Sequence, residues 1–124
     1  MNKAALMSAI SVGEIFQNPK SGTSTISSVT DKNITYIRGR TSINFPISVF
    51  FSVVNEFAGK KCSSSNLKEY MPEIFDSNPS INNVKAGHSC NCTFLFLLAE
   101  KMGLIENGIQ GKGKRGNPFF VIFK

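Results

Sequence analysis

The 124-residue chain has no tryptophan and a single histidine, His88. One histidine excludes the nucleases whose metal site needs a pair of histidines. No apolar stretch approaches the roughly 20 residues of a membrane-spanning helix, so we expect no membrane contact. Internal repeats and low-complexity segments are also missing. What remains is one compact domain, or a small module fused to a slightly larger one that shares its core.

Cysteine is scarce, and the spacing of the three residues does not suggest a disulfide framework: Cys62, Cys90 and Cys92. An odd count of this kind favours a reducing compartment. The stretch AALMSAISVG after Lys3 is similar to a short signal peptide, but Ser8 and Ser11 interrupt it and no small-residue cleavage site follows. The sequence therefore predicts a cytoplasmic protein.

Acidic residues are outnumbered, with 8 Asp and Glu against 14 Lys and Arg and a net charge of +6. The excess lies in residues 38–61 and 101–124. Clustered positive charge favours a polyanionic partner, because each neutralised phosphate releases counterions. A basic surface kept for solubility explains the charge equally well on its own.

The first third of the chain alternates β-branched and aromatic residues between the turn signals NPKSG, TDKN and RGR. This pattern predicts strands over 12–17, 23–29, 34–38 and 41–45. In the third strand, alternation puts Ile34, Tyr36 and Arg38 on one face. We expect an antiparallel β-meander over residues 1–45, which must pack on the remaining chain to be stable.

The hydrophobic period changes at Pro46, which suits a first helical turn. Three helices are predicted: one over 46–59, one over 66–75 that Pro72 ends or kinks, and one over 90–102 capped by Ser89 or Asn91. A polar linker over 76–87 separates the last two. Two strands, 104–110 and 118–123, then flank a flexible loop that contains GKGKRGNP.

This order of three helices and a basic hairpin, over residues 46–124, resembles winged helix-turn-helix domains. The resemblance implies an α+β fold in which the β-meander packs on a three-helix winged-helix domain with a C-terminal β-hairpin wing. It also implies a non-enzymatic protein that binds double-stranded DNA and needs no cofactor. The residues that it places on a phosphate backbone are Lys112, Lys114, Arg115 and Asn117.

The composition of the predicted wing also favours phosphate binding independently of the resemblance. Its glycines allow the backbone to approach a phosphate, and residues 107–124 contain no carboxylate side chain. The alternative is a solvated loop whose glycines only form the turn. If the arginines of the RGR turn lie on the side of the wing, the basic surface is continuous. The residues expected to assist the wing are Arg38, Arg40, Lys60 and Lys61.

The third predicted helix is apolar on opposite sides, unlike a helix that reads bases in the major groove. Cys92, Leu95 and Phe96 lie on one side, whereas Phe94 and Leu98 lie on the other. We expect the meander or a second subunit to cover the second side. Limited base readout is then left to the first turn, through His88, Ser89, Asn91 and Thr93.

Two alternative functions follow from the same pattern. The apolar outer face of the third helix suits a protein-interaction module or a homodimer formed through that face. The chain is also compatible with a DNA-reading subunit of a nuclease or defence system, with catalysis on another chain. The motif YIRG lacks the partner tripeptide of hairpin-type endonucleases, and no convincing catalytic set is present.

The hexapeptide GHSCNC (87–92) concentrates reactive residue types. His88, Cys90 and Cys92 with distant Cys62 could supply four zinc ligands, but the C-x-x-C spacing of common structural sites is missing. Cys90 with His88 as its base is an unfavourable nucleophile arrangement at a helix start. Buried thiols and a histidine at the helix cap explain the motif better, so we predict no metal site.

Overall fold

The computed structural model describes residues 2–79 and 86–124. These residues form an α+β protein with five helices and seven strands. In chain order, the elements are α1 (Lys3–Ala9), β1 (Ile15–Gln17), β2 (Thr23–Val29), β3 (Asn33–Arg38), β4 (Thr41–Pro46), α2 (Ile47–Glu56), β5 (Lys61–Ser63), α3 (Ser64–Tyr70), α4 (Pro72–Phe75), α5 (Cys90–Lys101), β6 (Ile105–Gln110) and β7 (Phe120–Phe123).

The N-terminal strands form the predicted antiparallel meander, a four-stranded sheet in the order β1-β2-β3-β4. The prediction is confirmed for β2 to β4 within one residue at each end, whereas β1 begins three residues later than expected. Alternation along β3 is also as predicted. Ile34 and Tyr36 are fully buried, and Ile37 on the opposite face is 41% exposed. One face of the sheet therefore belongs to the core.

A second sheet has the order β5-β7-β6. β6 and β7 form the predicted antiparallel hairpin, and we call the connecting residues 111–119 the wing. β5 was not predicted, because three residues are too short to display a period. It pairs with β7 through Cys62 opposite Val121, both fully buried. The hairpin is thus attached to the segment that follows α2.

The described part of the chain contains five helices, so the predicted count of three was wrong there. α1 was not expected, and it begins where the Asn2 side chain accepts a hydrogen bond from the Ala5 N–H at 2.9 Å. The second predicted helix is divided into α3 and α4. Pro72 lies at the start of α4, where its missing N–H costs no helical hydrogen bond. α2 and α5 agree with prediction within three residues at each end.

The linker predicted over 76–87 falls partly outside the described residues, which stop at 79 and resume at 86. Its two ends are held together. The Gly87 N–H donates to the Asp76 carbonyl at 2.8 Å, and the His88 N–H donates to the Ile74 carbonyl at 3.0 Å. These bonds fix the start of α5 against the end of α4.

α5 is the central helix and is covered on both sides. Phe94 is fully buried, with its ring stacked on Tyr36 of β3 at a centroid distance of 3.9 Å. Leu97 is only 5% exposed, and Leu98 is fully buried. The meander, rather than a second subunit, therefore covers the second side of the helix. The apolar outer face predicted as a homodimer surface is inside the chain, so that choice of surface was wrong.

A buried polar bridge joins the meander to the helices. The Tyr36 hydroxyl donates to Asn91 Oδ1 at 2.8 Å, and Asn91 Nδ2 donates to the Ile74 carbonyl at 3.1 Å. Asn91 is 2% exposed. Because a buried amide without partners would be costly, this bridge fixes how β3, α4 and α5 fit together.

Among the described residues, no helix is long and apolar enough to cross a membrane.

The two buried thiols, Cys62 and Cys92, should lower the stability of the protein at alkaline pH. Burial raises the pKa of Cys62 and of Cys92 to about 12, because a thiolate would lose its hydration in the core; Lys68 opposes this weakly at Cys92. The raised values mean that the thiols release protons first in the unfolded chain. Their contribution to stability is complete below pH about 8.5 and is lost as the pH rises towards 12.

We expect the free energy of unfolding to fall above pH 8.5, by about 1.4 kcal/mol per pH unit for each thiol. Urea denaturation followed by circular dichroism between pH 7.5 and 10.5 measures it. The Cys62→Ala/Cys92→Ala variant should retain only a shallow dependence, in part from buried Tyr36, whose pKa burial also raises. Equal slopes in both proteins would contradict the assignment to the thiols.

Candidate functional site

A cleft of about 540 Å³, which we call the basic cleft, lies between the wing and the meander. The wing forms one wall. The other wall comes from Lys20 and Ser21 in the β1–β2 turn together with Arg38 at the end of β3. The floor is formed by the starts of α3 and α5, with hydroxyl groups from Ser64, Ser65, Ser89 and Thr93.

The side chains that line the cleft include five cations and no carboxylate: Lys20, Arg38, Lys68, Lys114 and Arg115. None of these five is in an ion pair with another described residue. The ion pair found in the described part of the chain joins Lys101 to Glu14, at the opposite end of α5. Positive charge is thus concentrated at the end of α5 that faces the cleft. Because no carboxylate lines the cleft, these cations can attract an anion.

Arg38 reaches the cleft because of the pleat of β3. Side chains two residues apart share a face, so Arg38 lies on the same side as Tyr36, which packs on α5. As the last residue of the strand, Arg38 emerges next to the first turn of that helix. Arg40 is exposed in the following turn and does not line the cleft. Of the two arginines, Arg38 therefore lies in the same cleft as the wing.

The wing is a hydrogen-bonded structure rather than the flexible loop expected from its glycines. The Asn117 N–H donates to the Lys114 carbonyl at 2.8 Å, and the Lys112 and Lys114 N–H groups both donate to the Asn117 carbonyl at 3.2 Å. Gly116 completes the turn with φ 81°. Arg115 and Lys114 are exposed at the tip, where they can meet a ligand.

Two glycines of the wing have similar backbone conformations but differ in the space around them. Both Gly111 and Gly116 have positive φ, but a Cβ on Gly111 would lie 2.1 Å from the Pro118 carbonyl oxygen, whereas one on Gly116 would meet nothing within 4 Å. We expect Gly111→Ala to lower the free energy of unfolding by about 2–4 kcal/mol and Gly116→Ala by about 1 kcal/mol. Urea denaturation of both variants measures it; equal losses would contradict a closely packed wing.

A smaller pocket of about 430 Å³ adjoins the basic cleft and shares Ser65, Gly116 and Pro118 with it. Two residues predicted from the sequence line this pocket, Lys61 and Asn117. The Lys61 Nζ lies 4.3 Å from the centroid of the Phe120 ring, which holds the ammonium group at the foot of the wing. The cationic surface therefore continues from the cleft around the wing.

Apart from Asn91, which is buried, the predicted site residues fall into three groups. Lys114, Arg115, Arg38, Ser89 and Thr93 line the basic cleft, while Lys61 and Asn117 line the adjoining pocket. Exposed residues that line neither are Arg40, Lys60, His88 and Lys112.

Asn91 must be removed from the predicted contacts. It lies in the first turn of α5, but it points into the protein, where Tyr36 and the Ile74 carbonyl occupy both ends of its amide. Among its neighbours, Thr93 is partly exposed, and the Ser89 hydroxyl lies 2.9 Å from that of Ser77. The first turn therefore offers hydroxyl groups rather than an amide that could read a base.

Sequence reasoning missed Lys20 and Lys68. Lys20 lies in a turn and Lys68 in the short α3, and neither is near the wing in the sequence. No spacing or motif marks them, because they approach the wing only after the meander packs on α5. The helix itself adds to the positive field, since its N-terminal end carries a partial positive charge.

The cysteines do not form a metal site with the residues around them. In residues 2–79 and 86–124, no three His, Cys, Asp or Glu side chains are grouped to hold a metal ion. Cys62, Cys90 and Cys92 are free thiols. Cys92 is almost fully buried, whereas Cys90 is partly exposed at the floor of the basic cleft.

Comparisons of the chain with protein-family models, with curated proteins and with solved structures gave no match.

Proposed function

We propose that residues 46–124 form a winged-helix domain and that the protein is a non-enzymatic module that binds double-stranded DNA, mainly through the phosphate backbone. The observation that carries the proposal is the convergence of Arg38 with Lys114 and Arg115 in one cleft without a carboxylate. Cations from separate segments that meet in this way are typical of surfaces that bind polyanions.

The element order supports the winged-helix interpretation. α2, α3 and α5 precede a hairpin whose loop carries the basic residues, which is the order on which the resemblance was based. α4 is a single turn that begins at Pro72, and β5 adds a third strand to the hairpin. The meander is then an addition that covers the face of α5 that a conventional recognition helix would present to DNA.

This burial favours phosphate binding over base readout. Eight of the twelve residues of α5 are buried, so the helix has no polar face to insert into a major groove. The wing and Arg38 remain exposed enough to contact backbone phosphates, with Ser89 and Thr93 as further donors. We therefore expect salt-dependent binding with little sequence preference.

Fluorescence anisotropy with a mixed-sequence duplex tests the proposal. We expect Lys114→Gln/Arg115→Gln to weaken binding by about tenfold or more, and to reduce the slope of log affinity against log salt by about 2. Arg38→Gln should weaken binding through the same cleft. Its matched control is Arg40→Gln, which removes the same charge from a turn outside the cleft and should have a smaller effect.

Binding that is indifferent both to salt and to the wing variants would refute the proposal. Size-exclusion chromatography with light scattering supplies a second measurement. A stable dimer without DNA affinity would favour a protein-interaction module instead. Its interface would lie elsewhere, because Phe94 and Leu98 on the predicted dimer face of α5 are buried within the chain.

A further inference from the structure

The basic cleft has the volume of a site that can hold one small charged group. Its volume of about 540 Å³ lies in the range of roughly 300–1,000 Å³ that is usual for pockets holding one small ligand. Its lining combines the exposed tip of the wing at Arg115 with hydroxyl groups from the starts of α3 and α5. A terminal phosphate that enters the cleft can contact these hydroxyl groups and the surrounding cations together.

The charge of the cleft exceeds what one backbone phosphate requires. An internal phosphodiester brings one negative charge, whereas a terminal phosphate monoester brings about 1.5–2 at neutral pH and has three free oxygens. Five cations face this space without a carboxylate. Arg38 and Arg115 can each donate to two oxygens, and Lys68 adds a point charge close to the floor.

We infer that the basic cleft binds the phosphorylated end of a nucleic-acid strand, with the terminal phosphate among Arg38, Lys68 and Arg115. This inference rests on the proposed function and narrows it from duplex backbones to phosphate-bearing ends. The hydroxyl groups of Ser64, Ser65, Ser89 and Thr93 supply further donors to the phosphate oxygens.

The adjoining pocket provides a path for the rest of the strand. It is joined to the cleft at Ser65, Gly116 and Pro118, and Lys61 and Asn117 line it beyond that border. Gly116 has open space where a side chain would be. A strand whose end lies in the cleft can therefore pass the foot of the wing and bring a following phosphate towards Lys61. An internal segment would need a second exit and would leave one phosphate oxygen fewer for the cations.

Competition anisotropy with four otherwise identical duplexes that carry short overhangs tests this inference. They have a 5′-phosphate, a 3′-phosphate, both phosphates, or hydroxyl groups at all ends. We expect one phosphorylated end to bind about tenfold more tightly than the hydroxyl end. Lys68→Gln should bring this affinity ratio close to one. Lys32→Gln, which removes a lysine outside the cleft, should leave the ratio unchanged, and thermal unfolding by circular dichroism checks that both variants fold.

The outcomes separate the inference from the proposed function. Salt-dependent binding with equal affinity for all four duplexes overturns the end-binding site and leaves the proposal of duplex binding intact. No binding to any duplex overturns both. A deoxynucleoside monophosphate that competes at the same concentration as the phosphorylated strand also overturns the inference, because the cleft would then be a site for free nucleotides.

Discussion

Replacing Phe94 by alanine is expected to lower the free energy of unfolding by about 3–5 kcal/mol. Phe94 is fully buried in α5 and contacts aromatic rings from three strands of the meander. Its ring stacks on Tyr36 at 3.9 Å, and meets Phe45 at 5.6 Å and Phe16 at 6.0 Å, both edge to face. The substitution leaves a cavity where the meander joins the helix.

Urea denaturation followed by circular dichroism measures this loss. Ile37→Ala is the matched control, because Ile37 is also apolar but lies 41% exposed on the outer face of the sheet. We expect that control to lose less than about 1 kcal/mol. A loss below 1 kcal/mol for Phe94→Ala would mean that the meander does not depend on α5. The cleft would then lose one of its walls as a fixed structure.

The second large effect is expected from Asn91→Ala, which should lower the free energy of unfolding by about 2–4 kcal/mol. The substitution leaves the Tyr36 hydroxyl without its buried partner and removes one of the two hydrogen bonds that the Ile74 carbonyl accepts, the other coming from the His88 N–H. Thr93→Ala, two residues along the same helix, removes a partly exposed hydroxyl and should change stability by less than about 0.5 kcal/mol.

The same pair of variants distinguishes structural from contact roles in DNA binding. Below the unfolding transition, we expect Asn91→Ala to bind the mixed duplex within about twofold of the unmodified chain, because its side chain does not reach the cleft. Thr93→Ala should weaken binding modestly. If Asn91→Ala lost affinity while remaining fully folded, Asn91 would be a contact after all, and its placement in the core would be contradicted.

Much of the local structure could be predicted, because short-range rules decide it. The turn signals and period-2 alternation predicted β2, β3 and β4, and the change of period at Pro46 predicted α2. Pro72 divided the second helix for steric reasons that involve only its neighbours. α1 and β5 were missed, since seven and three residues are too short for a clear period.

The candidate site was predicted only in part. The wing cations were found from their neighbours in the sequence, and alternation along β3 correctly grouped Arg38 with Tyr36. Alternation alone does not show that the face of β3 that carries Arg38 turns towards the wing, and no local pattern marks Lys20 or Lys68. Asn91 was placed among the contacts because the first turn is the part of this apolar helix that carries polar side chains.

The sequence by itself determined where the charge is, which segments become strands and helices, and that α5 is apolar on opposite sides. Only the tertiary structure decided what covers the second side of α5 and which cations share a cleft. The physical reason is that exposure depends on contacts between distant residues. Packing of Tyr36 on Phe94 buries Asn91 and carries Arg38 to the wing.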